Sequence, residues 1–527
     1  MENLFLKRKN DMQGIKKFFE PIDMTVGKPW KNILMFAVPM VIGNIAQQLY
    51  STVDSIVVGK YVGDNALAAV GSATPLFNLL LVLFVGISAG VGIMVSQYFG
   101  AKARKELTST ISTCVVVTAV SSLFIMILAP FIVRPLLALF KTPPEILDDC
   151  TNYLVILMYG VAGMAYYNIL SGILRGLGDS FWSLMYLLVA TVLNIGLDIL
   201  FVAEFDMGVA GVSVATVIAQ FVASALCMWK LMRMKDIFSF GSKELKVSAL
   251  SLGKMFASMM KNFFGRIFHY CKYIFRFKRP RAYQKAVSED SDELTMTRSL
   301  LHELVKLGVP SGLTQAIFSC AMIVVQSLTN SFGTEFIAAN VIVMRVDGFA
   351  MMPNFSFGTA MTTYAGQNVG AGRIDRVKTG AKHGTLIAMA CSAIITFIIL
   401  VFGKYLMMIF TDTASLVDRS VYMMRILAVG YIAMAVTQSL SGVMRGAGDT
   451  MTPMWISLFT TVILRVPLAY GISWFTRTPD APYGTSDCIQ ISLLTSWVVG
   501  ALLTTLFYCI GKWKTKASRF VNQNNYQ

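Results

Sequence analysis

The sequence predicts an all-α membrane protein of twelve transmembrane helices, arranged as two parallel six-helix lobes with both N- and C-termini cytoplasmic. Three observations carry that prediction. Hydrophobic residues fill 55% of the 527 positions while Asp, Glu, Lys and Arg fill only 14%, well below the quarter that soluble domains carry. Twelve mainly apolar runs each supply the roughly 20 residues that span a bilayer. The chain also repeats itself: SGILRGLGDS at 171–180 returns as SGVMRGAGDT at 441–450, an offset of 270 residues that also superposes Gln97 and Gly100 on Gln367 and Gly370.

The runs fall at 33–58, 66–97, 108–133, 150–174, 181–203, 209–233, 302–330, 336–366, 378–409, 419–444, 452–475 and 489–511. Lys and Arg crowd the N-terminus and every second connection after it, which sets the cytoplasmic side. The net charge of +16 lies almost wholly between the apolar runs, so it reads as membrane orientation and not as nucleic-acid binding. MENLFLKRKN has no apolar core of the signal-peptide kind, so the first span is read as a retained helix. Six spans per half mean that both halves enter from the same side, as in transporters built from parallel repeats around a central cleft. The expected divisions are a cytoplasmic tail at 1–32, an N-lobe at 33–234, a basic amphipathic cytoplasmic loop at 235–300, a C-lobe at 301–511 and a cytoplasmic tail at 512–527. In the loop, Leu252, Met255, Phe256, Met259, Phe263 and Ile267 recur at helical spacing between lysines and arginines, as in a helix lying on an anionic leaflet. The plainer reading, a linker that coats the membrane surface, is preferred.

Ionisable and polar side chains inside apolar spans are costly and so mark candidate sites. In the first span Asn44, Gln47, Gln48, Ser51, Asp54 and Ser55 recur at three- and four-residue steps, which places most of them on one polar stripe of the helix. In the fifth, Asn194 and Asp198 stand one turn apart. Asp54 and Asp198 lie about 32 Å and 26 Å up their helices, and neither span holds a Lys or Arg. Two such carboxyl groups suit the sharing of a proton or a sodium ion. The second half is built differently, with Arg345 and Asp347 in the eighth span and Arg465 in the eleventh; acid and base together suggest a buried ion pair that positions helices. Pro39 and Pro310, matched at an offset of 271, predict bends in the first and seventh spans. The eight cysteines show no metal or disulfide spacing, no nucleophile and base constellation stands out among His, Ser and Cys, and no phosphate-binding glycine loop occurs. The chain therefore reads as a non-enzyme that needs no cofactor and no resident metal.

These residues resemble the multidrug and toxic compound extrusion (MATE) family: QQLYSTVDSIVVGKYVG ending span 1, LAAVG and IAANV opening spans 2 and 8, the SGILRGLGDS/SGVMRGAGDT pair, LNIGLDILFV, MRVDGFAMMP and RVPLAY. The resemblance covers all but the N-terminal tail and the 235–300 loop. It implies an antiporter that exchanges protons or sodium ions for amphipathic, often cationic, drugs by alternating access. Asp54 with Asn194 and Asp198 is similar to the DNA-damage-inducible F type branch, whose N-lobe cavity couples ion entry to drug release. The same resemblance, and nothing in the spacing, adds Tyr153 and Thr216 to the substrate cavity beside Gln47, and makes Pro39 the bend of span 1. The expected partners are small hydrophobic or cationic drugs and membrane lipid, with no nucleic acid; the expected state is a monomer, multi-pass, in a bacterial inner or plasma membrane. The rival reading is a lipid-linked oligosaccharide flippase of related fold, whose cavity would be strongly cationic where this first half carries acids.

Overall fold

The computed structural model describes residues 20–139, 142–239, 241, 243–254, 292–479 and 481–525, and it is helical almost throughout. The first half holds α1 (Pro29–Tyr61), α2 (Asp64–Gly100), α3 (Arg104–Leu139), α4 (Pro144–Tyr159), α5 (Val161–Gly176), α6 (Ser180–Asp198) and α7 (Gly208–Arg233). The second holds α8 (Asp292–Asn330), α9 (Thr334–Gly370), α10 (Ile374–Met408), α11 (Ala414–Ala428), α12 (Gly430–Gly446), α13 (Met451–Leu458), α14 (Arg465–Phe475), α15 (Cys488–Ile510) and α16 (Lys512–Asn525). Among the described residues ten helices are long and apolar enough to cross a membrane, or twelve when each of two bent pairs counts as one span. Helices suit such runs because every backbone N–H and C=O is satisfied within the segment, which lipid cannot do.

Pro39 and Pro310 both lie inside helices that continue through them, α1 and α8. The sharp bends are 52° between α4 and α5 and 44° between α11 and α12, at Gly160 and at Val429-Gly430, and the two glycines are themselves 270 residues apart. A Cβ on Gly160 would run into the side chain of Val217 on α7, and one on Gly430 would lie 2.5 Å from Trp497 Cε3. These bends press the chain against a neighbouring helix, and only glycine leaves room. A wide π-turn, Ile199–Glu204, follows α6, and another, Phe459–Leu464, joins α13 to α14.

The described chain ends share one face of the molecule, here the terminal face: Met24 meets Gln367 at the end of α9 and Phe520 lies against Tyr98 near the end of α2. The segment after 511 is a docked helix and not a free tail, with Trp513 and Ala517 fully buried. The preceding loop is helical at 243–254, with Leu250 64% exposed; most of the amphipathic stretch expected there, and most of the N-terminal tail, lie outside the described residues.

The halves are not independent blocks. Leu300, Leu304 and Leu307 of α8 join the core of the first half with Ile93 and Leu170, while Ile33, Phe36 and Ala37 of α1 join Phe357, Met361 and Tyr364 of α9. The α2/α8 crossing is made by two G-x-x-x-G pairs. A Cβ on Gly86 would sit 2.8 Å from Gly308 O, and one on Gly90 would sit 3.0 Å from Gly308 Cα. Small residues at four-residue spacing bring backbones together where lipid offers no hydrophobic drive.

The repeated G-x-G-D turns also match in detail. Gly178 and Gly448 take φ of +90° and +85°, which costs glycine nothing. Asp179 Oδ1 then accepts from the Trp182 N–H at 3.0 Å and Asp449 Oδ1 from the Thr452 N–H at 3.3 Å, capping the next helix. Each acid also meets a lysine, Lys230 at 3.7 Å and Lys516 at 2.6 Å. Burial pushes the Asp179 carboxyl up to about 6, against the Trp182 N–H and Lys230, which pull it down.

Two predictions follow from this packing. Gly86→Val should lower the thermal midpoint in detergent by several degrees, since forced overpacking costs about 1–3 kcal/mol, whereas Gly471→Ala, whose Cβ meets nothing within 4 Å, should leave it unchanged. Because the folded carboxyl of Asp179 holds its proton above the ordinary value of 3.8, its contribution is fully present below that value and is lost as pH rises through about 6. Melting curves should therefore show wild type losing stability relative to Asp179→Asn between about pH 4 and 6, with no further divergence above that window.

Candidate functional site

Between the halves lies a cleft of about 1420 Å³, lined by Gln47, Asp54 and Lys60 of α1, Phe77 and Leu81 of α2, Tyr153 of α4, Thr216 of α7 and, on the facing wall, Arg345 and Phe349 of α9. Gln47 and Asp54 are seven residues apart, two helical turns, so both face it. α1 approaches α6 at Gly43, where a Cβ would lie 3.3 Å from Leu184 Cδ1. That approach brings the stripe of α1 to the polar positions of α6.

There Asn194 stands between the acids. With its amide oriented to satisfy both ends, the nitrogen donates to Asp54 Oδ1 at 2.9 Å and Asp198 Oδ2 at 3.0 Å, while the oxygen accepts from the Thr216 N–H at 3.3 Å. The opposite orientation sets the oxygen against the carboxylates and the nitrogen 3.4 Å from Thr216 Oγ1; the network, as usual for amides, assigns the choice. Asn194 and Asp198 are fully buried and Asp54 half-buried, so only Asp54 of the two acids lines the cleft. Asp198 Oδ1 is buried without a hydrogen-bond partner, and Asp198 forms no ion pair with a Lys or Arg, among the described residues. The unit thus has an acid at the cleft wall, an amide relay and a second acid behind it.

The remaining expected residues divide. Gln47, Tyr153 and Thr216 do line the cleft. Asn44 does not: its amide donates across the halves to Ser356 Oγ on α9 at 2.9 Å, so it ties the lobes together. The side chain of Ser51 lies outside the described residues. Gln48, a member of the same stripe, also lines the cleft, as do Asn78, Asn168 and Gln220, which the sequence reading did not pick; uncharged polar residues inside apolar spans were the signal that could have found those three.

The charged set of the second half does not assemble as one buried ion pair. Arg345 is exposed on the cleft wall. Asp347 accepts from the Tyr431 hydroxyl at 2.9 Å. Arg465 is buried, its Nη1 donating to Met322 Sδ at 3.4 Å and its Nε without a partner; no Asp347 to Arg465 ion pair forms among the described residues. What organises this region is neutral: Asn354 Nδ2 donates to the Tyr431 carbonyl at 3.2 Å and Ser392 Oγ donates to Asn354 Oδ1 at 2.8 Å. At the repeat offset, Asn194 and Asp198 correspond to Leu464 and Leu468, so the acid and amide unit is peculiar to the first half. The described residues hold no group of three or more His, Cys, Asp or Glu that could bind a metal.

A repeated, multi-pass helical chain with a large central cleft belongs to the class of membrane transporters. The MatE family model matches it twice, at residues 39–200 and 310–471, and the chain belongs to that family, whose members are transporters and not enzymes. It is 27% identical over 452 residues to the probable multidrug resistance protein YoeA of Bacillus subtilis, covering 85% of this chain and 88% of that one. To the probable multidrug resistance protein NorM of Thermotoga maritima it is 22% identical over 499 residues, 92% and 94% of the two chains. Among solved structures, one described as the outward-facing conformation of a multidrug resistance MATE family transporter superposes with a TM-score of 0.77 at 20% identity, over 95% of this chain and 98% of that one. The protein is accordingly a multi-pass membrane protein.

Proposed function

We propose that this protein is a multidrug efflux antiporter that exchanges protons or sodium ions for amphipathic, often cationic, organic compounds by alternating access, of the DNA-damage-inducible F type branch of the family, acting as a monomer in a bacterial cell membrane. The observation that carries the reading is the Asn194 amide held between Asp54 and Asp198 at 2.9 and 3.0 Å. The names of the bacterial relatives support drugs as substrates, and a cleft of about 1420 Å³ exceeds the few hundred to a thousand Å³ that encloses a drug-sized ligand.

The mechanism follows from charge. Two carboxylates this close repel each other, and a proton or a cation between them relieves that. With both charged, the acids attract an organic cation, while Lys60 on the same wall and Arg345 on the facing wall push it towards Asp54; Phe77, Leu81 and Phe349 receive its apolar body. An arriving ion neutralises the pair, and the cation loses its counter-charge and leaves. A proton suits the amide with its nitrogen towards the acids, because every donor then has an acceptor. A sodium ion, which takes oxygen ligands, suits the reverse orientation, in which Asn194 offers its oxygen with the carboxylates. Either way ion and drug compete for one site, and a ligand shifts a two-state equilibrium only by binding the two states unequally. A strongly cationic cavity of the flippase kind is not favoured with Asp54 on the wall.

The test is efflux of a fluorescent lipophilic cation from liposomes under separately imposed proton and sodium gradients. Wild type should export under at least one gradient, which names the ion, and Asp54→Asn and Asp198→Asn should each slow gradient-driven export by tenfold or more. Wild type that exports under neither gradient, or variants that match wild type, would overturn the assignment.

A further inference from the structure

We infer that Gln97 and Gln367 form a reciprocal latch that holds the terminal face of the cleft shut and that must open for the site to be reached from that side. The inference rests on the alternating-access reading, but its observations lie far from the acids. Leu81 lines the cleft, and Gln97 stands sixteen residues further along the same helix, about 24 Å away.

Both glutamines lie in the last turn of a helix, α2 and α9, and are 2% and 0% exposed. Gln97 Nε2 donates to the Gly446 carbonyl at 2.8 Å, and Gln367 Nε2 donates to the Gly176 carbonyl at 3.0 Å. Each bond crosses between the halves, and the 270-residue offset turns one into the other at both donor and acceptor. Gly176 and Gly446 end α5 and α12, where the last carbonyls of a helix lack an intrahelical partner. Each half therefore supplies, from a buried amide, the hydrogen bond that the other half's helix end needs.

The surroundings keep water out. A Cβ on Gly100 would collide with the Gln367 carbonyl, and one on Gly370 with the Gln97 carbonyl, so the ends of α2 and α9 touch backbone to backbone. A buried carbonyl that loses its donor without gaining water pays the full desolvation cost. Partial opening is thus the unfavourable arrangement, and the stable ones are closed with both bonds made or open with both carbonyls wet. Because the bonds are related by the repeat, one relative rotation of the halves breaks them together. Gln367 carries a further tie: its Oε1 accepts from the Met24 N–H at 2.9 Å, and Asn368 and Arg376 donate to the Met24 carbonyl at 3.1 and 3.2 Å. Two residues earlier, the Ile22 N–H donates to the Gly178 carbonyl at 3.0 Å. The chain leading into α1 thereby spans the seam that the glutamines close.

The experiment places spin labels at Lys105→Cys and Asp375→Cys, exposed repeat-equivalent positions on the two sides of the seam, in full-length protein with Cys271, Cys320, Cys391 and Cys509 replaced by Ser and reconstituted in lipid nanodiscs. Electron-electron distance measurements on this parent should give one dominant short distance. Gln97→Leu and Gln367→Leu should each raise a longer-distance population about fivefold, the change produced by about 1 kcal/mol, a typical net hydrogen bond, and the double variant should raise it further. Folded variants that keep the parent distribution overturn the latch, as does a lowered thermal midpoint with no new distance, which would mark the glutamines as structural only. If Gln97→Leu and Gln367→Leu do not yield monodisperse protein, Gln97→Asn and Gln367→Asn keep the amide but withdraw it by one methylene, and the same two readings apply. Distances are read without drug or gradient, so a failure of the latch and a failure of the antiporter reading are separately visible.

Discussion

The Asn194 amide lies between two carboxyl groups that come from different helices and are placed in an apolar bundle, and the rest of the structure is arranged so that it can. α1 must approach α6 closely, which Gly43 permits; α7 must present the Thr216 backbone N–H to the amide oxygen; and Asp54 must reach the cleft while Asp198 stays behind it. A buried polar network is favourable only when its members are satisfied. Here one carboxylate oxygen, Asp198 Oδ1, has no partner among the described residues, and that deficit sits where a proton or a small cation would be useful. The wide turn at Ile199–Glu204 begins one residue later, and such turns occur frequently at functional sites.

The repeat has been kept in the packing and lost where the halves face the cleft. Gln97 and Gln367 with Gly176 and Gly446 repeat a contact between the halves, while Asp179 and Asp449, and Gly160 and Gly430, repeat contacts within each half. Packing two related lobes imposes the same demands twice. The cleft imposes no such symmetry, and there Asp54 of α1, with Asp198 of α6 buried behind it, faces Arg345 on α9. The second half satisfies its interior with the neutral Asn354, Ser392 and Tyr431 group instead. Under the proposed antiport, this division would put ion coupling in the first half and make the second the partner against which it moves.

Much of this was legible in the residues because the bilayer simplifies the chain. Apolar runs of fixed length and a repeat visible by eye sufficed for a helix count within the ten to twelve spans of the structure and for the correspondence of the halves. Asp54, Asn194 and Asp198 stood out because charge in an apolar run is expensive, and the structure brings all three together. Hydropathy summed over about 20 residues does not see a 52° bend at Gly160, whose cause, the Val217 side chain on another helix, is far off in sequence. Asn44 shared the stripe of Asp54 but found Ser356, 312 residues away. Arg345, Asp347 and Arg465 were grouped by charge, whereas the fold separates them by exposure and gives Asp347 a hydroxyl partner. Neutral polar side chains such as Gln97 and Gln367 could be seen to repeat, but not what they hold.

The central claim is that an ion at the Asp54, Asn194 and Asp198 unit and an organic cation in the cleft exclude one another. The most direct measurement is equilibrium binding of a fluorescent lipophilic cation to purified protein, by anisotropy, across a range of pH and of sodium concentration. The account predicts that wild type binds the cation more weakly as the coupling ion rises, and that Asp198→Asn, whose side chain lies behind the cleft wall, still binds it but loses that dependence. Binding in wild type that ignores both ions, or an unchanged dependence in Asp198→Asn, would contradict it.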